Sequence, residues 1–205
     1  MSVEWAEIWP KIDSVYGWLS EVEAKRLFDL TSNPEGVDEP VVELGAFMGR
    51  STAALAYGLL ERGSDSLVIS VDTWIGTKGA DEESLHENIM RGHGVTDMFE
   101  LHRKNMKALN LDPWTRRIRG TTAAYGSEWA REWDVFPRVL FIDADHRYEG
   151  VSADFRAWAP LVIVGGYAAF HDSWAPGPSR VIAEMPENFV RLDDSGDLAV
   201  FRKVG

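Results

Sequence analysis

The chain has 205 residues, the length of one domain, and 45% of them are hydrophobic, enough for one sizeable core. A formal net charge of −12 leaves no basic surface for phosphate, so no nucleic acid and no anionic membrane is expected as partner. There is no cysteine, hence no disulfide or thiolate metal site, and no early basic-then-apolar run to read as a signal peptide or membrane span, which makes the cytoplasm the default location.

Residues 1–18 carry Trp5, Trp9, Tyr16 and Trp18 among polar residues, outside any sheet pattern. A cover over a site, a subunit contact in a homo-oligomer and plain surface packing all stay open for them. The nine tryptophans of the whole chain read either as packing or as an aromatic acceptor pocket. Ser20 and Glu23 have the spacing of a capping box. The helix that follows, about 20–31, carries Val22, Leu27, Phe28 and Leu30, and Thr31 to Glu39 is a turn-rich link with Asn33-Pro34 and Gly36. Residues 1–38 therefore read as an N-terminal helical extension or cap, and 39–205 as the main domain.

Val41 to Leu44 reads as a short buried strand around one acid, Glu43, and Ser51 to Leu60 as a helix with its stripe at Leu55, Leu59 and Leu60. The chain turns between them at Gly45 and Gly49, where positive φ and close ligand approach are open to it. The helix start offers free N–H groups to a polar or anionic ligand. These are the parts of a nucleotide-type site, yet the spacing is Glu-x-Gly-x-x-x-Gly, not the G-x-G-x-x-G of a dinucleotide fold. A buried Glu43 needs a partner, and an ammonium group at the sheet mouth would supply one.

The second strand, 66–71, ends at Asp72, placed for the two ribose hydroxyls of a nucleoside ligand; a cap or loop carboxylate is the other reading. Residues 76–94 are polar, with Gly76, Gly79, Gly92 and Gly94. Their Asp81, Glu82, Glu83, His86, Glu87 and His93 lack a strand to fix them, so the segment reads as a lid and not as a metal site. A helix at about 96–109, a third strand at 116–119 and a helix opened by Gly120-Thr121-Thr122 follow, with Trp129 and Trp133 read as core. The fourth strand, Arg138 to Asp143, is apolar up to its final acid, and Ala144, Asp145 and His146 come after it. Val151, Phe155 and Trp158 mark a helix that stops before Pro160. The fifth strand, 161–170, is broken by Gly165-Gly166 and ends at His171-Asp172-Ser173. A short helix at about 179–185 precedes a hairpin of 188–192 and 198–202.

Strands alternating with helices predict an α/β fold: a three-layer, Rossmann-like, seven-stranded, mostly parallel sheet with a C-terminal antiparallel hairpin and helices on both faces. Five strands end in polar clusters, at Glu43, Asp72, Gly120-Thr121, Asp143-x-x-His146 and His171-Asp172. Packing alone does not call for acids at so many carboxyl ends, and those ends are where open α/β sheets bind ligands.

Glu43-Leu44-Gly45-Ala46-Phe47-Met48-Gly49-Arg50-Ser51, Phe141-Ile142-Asp143-Ala144-Asp145-His146-Arg147-Tyr148-Glu149-Gly150 and Ala169-Phe170-His171-Asp172-Ser173 resemble the motifs of class I S-adenosylmethionine-dependent methyltransferases. The likeness is to the branch with catechol O-methyltransferase and the macrolide and cephalosporin-type O-methyltransferases. It implies S-adenosyl-L-methionine as cofactor, held by Glu43, Gly45, Ala46, Phe47, Gly49, Ser51, Thr52, Asp72, Trp74, Gly120, Thr121 and Asp143. It implies methylation of a hydroxyl on a small-molecule acceptor, which no residue pattern here specifies further. His146 stands where catechol O-methyltransferase has a lysine base, and His171 where it has a carboxylate. Acids ending neighbouring strands can share a divalent ion, so Asp143 and Asp172, with His171 as third ligand, are the expected metal set for Mg²⁺ or Mn²⁺. His146, with Asp143, is the expected catalytic residue, as general base. His171 as a buried ring bonded to backbone, and Asp145 as a helix cap, remain open. An NAD(P)-binding oxidoreductase is disfavoured by the missing G-x-G-x-x-G and Tyr-x-x-x-Lys; a non-catalytic S-adenosylmethionine-binding domain is the other alternative.

Overall fold

The computed structural model describes residues 4–33, 38–75, 80–132 and 136–205, and the side chains of these except 80–86 and 130–132. Pro34 and Gly36 of the link, Gly76 and Gly79 of the expected lid, the side chains of Asp81, Glu82, Glu83 and His86, and Trp133 lie outside the described residues.

The elements run α1 (Trp5–Asp13), α2 (Glu21–Ser32), β1 (Val41–Leu44), α3 (Arg50–Arg62), β2 (Val68–Asp72), α4 (Ala80–His93), α5 (Met98–Ala108), β3 (Thr115–Arg119), α6 (Thr122–Glu132), β4 (Val139–Ile142), α7 (Tyr148–Trp158), β5 (Tyr167–Phe170), α8 (Pro176–Ala183), β6 (Phe189–Ser195) and β7 (Leu198–Lys203). The sheet order is β3-β2-β1-β4-β5-β7-β6. The first five strands are parallel, and β7 runs antiparallel to both β5 and β6. The expected seven-stranded sheet with its terminal hairpin is the observed one. The order reverses between β1 and β4, which makes that point the natural crevice.

Alternation along the buried strands feeds two cores. Phe141 points to the layer of α1, α2 and α3, with Ile8, Ile12, Leu27, Leu55 and Leu59. Leu140 and Ile142 point the other way, to Trp129, Val151, Trp158 and Val181 on α6, α7 and α8. Each such side chain contributes about 1.5–3 kcal/mol by leaving water. Trp129 is core, as expected, at 3% exposure.

The register levels the strand ends. Leu44 lies opposite Val71 on one side and Ile142 on the other. The ladder then continues one step past the strands: Gly45 N–H donates to the Val71 carbonyl at 3.0 Å, Asp143 N–H to Leu44 at 2.8 Å, His171 N–H to Ile142 at 3.1 Å and Gly120 N–H to Asp72 at 3.0 Å. The polar clusters are thereby set in one row.

Two elements differ from expectation. Residues 161–166 are not strand: Ala159–Leu161 is a 3₁₀ turn, and β5 begins only at Tyr167. Gly165 has φ +85°, and a Cβ on Gly166 would meet the Arg138 carbonyl oxygen at 2.8 Å, so these glycines build a tight turn before the strand. The segment read as a lid contains α4, a helix that the sequence reading leaves unassigned. It carries three glutamates, which favour helix, and Gly92 and Gly94 fall at its end, where they do not break it. Among the described residues no helix is long and apolar enough to cross a membrane.

Candidate active site

A cavity of about 780 Å³ opens over the carboxyl ends of the five parallel strands. Its floor is Gly45, Ala46, Phe47 and Ser51 from the first turn; Asp72, Thr73 and Trp74 follow β2, and Thr121, Thr122 and Ala123 follow β3. Asp143 to Arg147 leave β4, and His171 and Asp172 leave β5. Of the expected residues, Gly45, Ala46, Phe47, Ser51, Asp72, Trp74, Thr121, Asp143, His146, His171 and Asp172 are thus brought together.

The glycine turn is a close fit. Gly45 has φ +86°, and a Cβ there would lie 2.2 Å from the Asp143 carbonyl oxygen. Gly49 caps α3 with φ +95°, and its Cβ would meet Met106 at 2.7 Å. Only glycine meets both demands. Phe47, Trp74 and Asp172 also have positive φ, at 46°, 53° and 47°. Side chains held in that region cost of order 1–3 kcal/mol each and gather at functional sites.

Asp72 is already engaged. Its Oδ2 accepts from the N–H groups of Ala46 and Phe47 at 2.8 and 2.9 Å, and Oδ1 from Trp74 N–H at 2.7 Å. It therefore pins the glycine turn while facing the cavity, and a carboxylate's further lone pairs leave capacity for hydroxyl donors. Trp74 donates its indole N–H to the Phe47 carbonyl at 2.9 Å and packs on Phe99 and His102.

Glu43, Gly49, Thr52 and Gly120, also expected at the cofactor site, are not among the residues that line the cavity. Glu43 is fully buried below the turn, where Ser51, Thr52 and Ser70 each donate a hydroxyl to it at 2.6 Å. Burial pushes this carboxyl up to about 7, against the pull of those three donors. Its partners in the structure are hydroxyls of α3 and β2. Thr52 is also 3.0 Å from His102 Nε2. Gly49 is enclosed by α5, and Gly120 is tied to β2.

At the β4–β5 end, His146 Nε2 lies 2.9 Å from Asp172 Oδ2 and 3.8 Å from Asp143 Oδ1. The carboxylates of Asp143 and Asp172 push this imidazole up to about 10, and the two rings beside it, His146 and His171, hold Asp172 well below the usual carboxylate range. Asp143, His146 and Asp172 offer ligand atoms within 4.8 Å of one another, a set of two oxygens and one nitrogen. The nitrogen of that set is from His146, whereas His171 was expected. His171 is buried, its Nδ1 3.2 Å from Asp143 and 3.3 Å from Asp172, and its Nε2 3.8 Å from Glu23. Burial disfavours charge on this ring, yet the surrounding acids, Asp143 first, carry it up to about 12. Its partners are carboxylates and not backbone. Asp145 turns back to accept from the backbone N–H and guanidinium of Arg147 at the start of α7.

Of the other lining residues, Trp18 belongs to the segment read as a possible cover, whereas Arg50 and Asp154 are given no role at the site from the sequence. Arg50 leaves the turn to donate to the carbonyls of Val15 and Gly17 and to pair with Asp13, and it lies over the Trp9 ring. It draws the N-terminal segment across the opening, where Gly17, Trp18 and Leu19 form a wall. Trp18, 63% exposed, packs on Phe47 at 5.2 Å and on Tyr16 at 5.7 Å. Asp154, on α7, takes a hydrogen bond from Thr122, and burial raises it to about 6.

A family model described as "Methyltransferase domain" matches residues 42–173, most of the chain. Solved structures of similar fold include the O-methyltransferase NovP, with TM-score 0.67 and 18% identity over 92% of this chain and 84% of that one. An O-methyltransferase from Bacillus cereus in complex with SAH aligns at TM-score 0.61 and 17% identity, over 97% and 90%. The TDP-rhamnose 3'-O-methyltransferase CalS11 aligns at 0.58 and 15%, over 87% and 76%.

Proposed function

Since this chain belongs to the methyltransferase-domain family, we propose that it transfers the methyl group of S-adenosylmethionine to a hydroxyl of a small-molecule acceptor, with a divalent ion assisting. The observation that carries this reading is the convergence of Asp143, His146 and Asp172 in the same cavity as the Gly45 turn and Asp72. Solved structures of the same fold named as O-methyltransferases support the choice of oxygen.

The residues divide the work along the sheet. The turn of Gly45 to Phe47, held by Asp72, would meet the cofactor with backbone, and Gly45 lets that turn close against the Asp143 carbonyl, where a Cβ has no room. Asp72 and Thr121 lie toward β2 and β3, which supports a nucleoside on that side and a reacting end toward β4 and β5. There the acceptor hydroxyl has to meet the methyl group in line. The exposed face of Trp18 offers a flat apolar wall for the acceptor.

Asp143 and Asp172 supply the hard carboxylate oxygens that suit Mg²⁺ or Mn²⁺, and His146, the third group of the set, stays off the ion and keeps its ring for the proton. Such an ion, when bound, offsets the carboxylate charge and lowers the pKa of a hydroxyl it touches. His146 is half exposed, on the loop leaving Asp143, within reach of such a hydroxyl, and its free imidazole form would take the proton.

The test is turnover with methyl-labelled S-adenosylmethionine and a panel of hydroxylated small molecules, beside calorimetry with S-adenosylhomocysteine and NAD. Label transfer to an acceptor oxygen is expected. Tight NAD binding with no response to S-adenosylhomocysteine would overturn the cofactor; S-adenosylhomocysteine binding with no transfer to any acceptor would leave a non-catalytic binding domain.

A further inference from the structure

The capping residue of α2 lies unusually deep. Glu23 is 3% exposed, whereas a helix-capping glutamate ordinarily stays in water. Its Oε2 accepts from Ser20 N–H at 2.7 Å and from the Ser20 hydroxyl at 2.6 Å, and these bonds complete the cap. Its other contacts are not needed for a cap. Oε1 accepts from Asp197 N–H at 2.7 Å, in the β6–β7 turn. A Cβ on Gly196, where φ is +64°, would stand 2.9 Å from Oε1, so the turn is shaped around this carboxylate. The same turn takes Ser173 N–H on the Asp197 carbonyl at 3.0 Å, one residue past Asp172. Glu23 Oε2 also faces His171 Nε2 at 3.8 Å, while Nδ1 of that ring lies between Asp143 and Asp172.

A ring with an acid at each nitrogen has one orientation in which both are satisfied. We propose that Glu23 is a positioning residue of the active site: it fixes the His171 ring and, through it, the carboxylates of Asp143 and Asp172. The proposal rests on the reading of those carboxylates as the methyl-transfer site. It extends that site to α2, which lies before the matched residues 42–173. Outer partners of this kind orient the groups that act, and their loss costs about 10–100-fold in activity or metal affinity.

Three variants separate positioning from capping. Glu23→Gln keeps the shape and removes the charge. Gly196→Ala displaces the carboxylate and keeps the charge. Ser20→Ala removes a capping hydroxyl and leaves Glu23 facing His171. The ¹H–¹⁵N signals of the His171 imidazole should shift in the first two and stay in the third. In Glu23→Gln, kcat should fall by about 10–100-fold with KM and S-adenosylhomocysteine affinity nearly unchanged, while Ser20→Ala lowers Tm and keeps kcat. His171 signals identical to the native ones in both Glu23→Gln and Gly196→Ala would overturn the proposal. So would equal losses of kcat in Glu23→Gln and Ser20→Ala. If the native protein transfers no methyl group to any acceptor, the proposed activity fails, and the His171 signals alone decide whether Glu23 sets that ring.

Discussion

The imidazole of His146 meets the carboxylate of Asp172 at 2.9 Å, although one leaves β4 and the other leaves β5. The pairing follows from strand order, because β4 and β5 are neighbours with Ile142 level with Phe170. It puts a titratable ring at the mouth of the cavity, where the proposed reaction needs a group to take the acceptor's proton. His146→Ala should therefore lower kcat by roughly 10²–10⁴-fold, the range for a lost acid–base group, with little change in S-adenosylhomocysteine affinity. Steady-state kinetics beside calorimetry checks this; near-native kcat would assign proton removal to another group.

Glu43 should write itself into the pH dependence of stability. Its folded pKa, about 7, lies above the 4.5 of an unperturbed glutamate. The folded chain thus holds a proton that the unfolded chain releases between those values, and the stability this group contributes is full below about 4.5 and lost as pH rises through about 7. The loss is about 3 kcal/mol, as burial is complete. Glu43→Gln, which stays neutral, should lack that slope. Urea unfolding of both proteins from pH 4.5 to 8 measures it, and parallel curves would refute it.

The sheet was legible because its strands are short apolar runs closed by turn residues, and the acids at their ends mark where ligand meets sheet. Asp143, His146 and Asp172 could be named because they lie within a few residues of predicted strand ends. The direction in which Glu43 points could not. Position in a strand does not say whether a carboxylate faces the crevice or Ser51, Thr52 and Ser70 on the packed side. Glu23 and Arg50 were hidden for another reason. Their partners Asp197 and Asp13 are 174 and 37 residues away, so only the folded chain shows that the capping glutamate reaches the β6–β7 turn and that the arginine ties down the N-terminal segment.

Gly45→Ala should fail in two ways at once. The new Cβ would fall 2.2 Å from a backbone carbonyl that cannot swing aside, at a φ of +86°. We expect a loss of 1–3 kcal/mol or more in stability and a sharp fall in S-adenosylhomocysteine affinity. Thermal unfolding and calorimetry read these separately; a variant that keeps both would remove the turn from cofactor binding.

Asp72→Ala should weaken S-adenosylhomocysteine binding by about 10–100-fold, from a lost charge-assisted partner of ~1.5–3 kcal/mol. It also frees the N–H groups of Ala46, Phe47 and Trp74, so hydrogen exchange at those three amides should rise. Unchanged affinity with faster exchange would make Asp72 a loop anchor alone.

Chelation separates the two halves of the cavity. The cofactor residues proposed toward β1, β2 and β3 contain no member of the Asp143–His146–Asp172 set. Removing divalent ions should abolish turnover and leave S-adenosylhomocysteine affinity largely intact. Asp172→Asn should reproduce the effect at saturating Mg²⁺ or Mn²⁺, because an amide oxygen is a weaker ligand than a carboxylate. The same variant also takes a charged partner from His146, whose raised pKa depends on both carboxylates. The His146 imidazole should then titrate lower than in the native, metal-free protein, which histidine NMR shifts resolve. Full activity in excess chelator would remove the ion from the mechanism and leave His146 and the carboxylates to manage the proton by themselves.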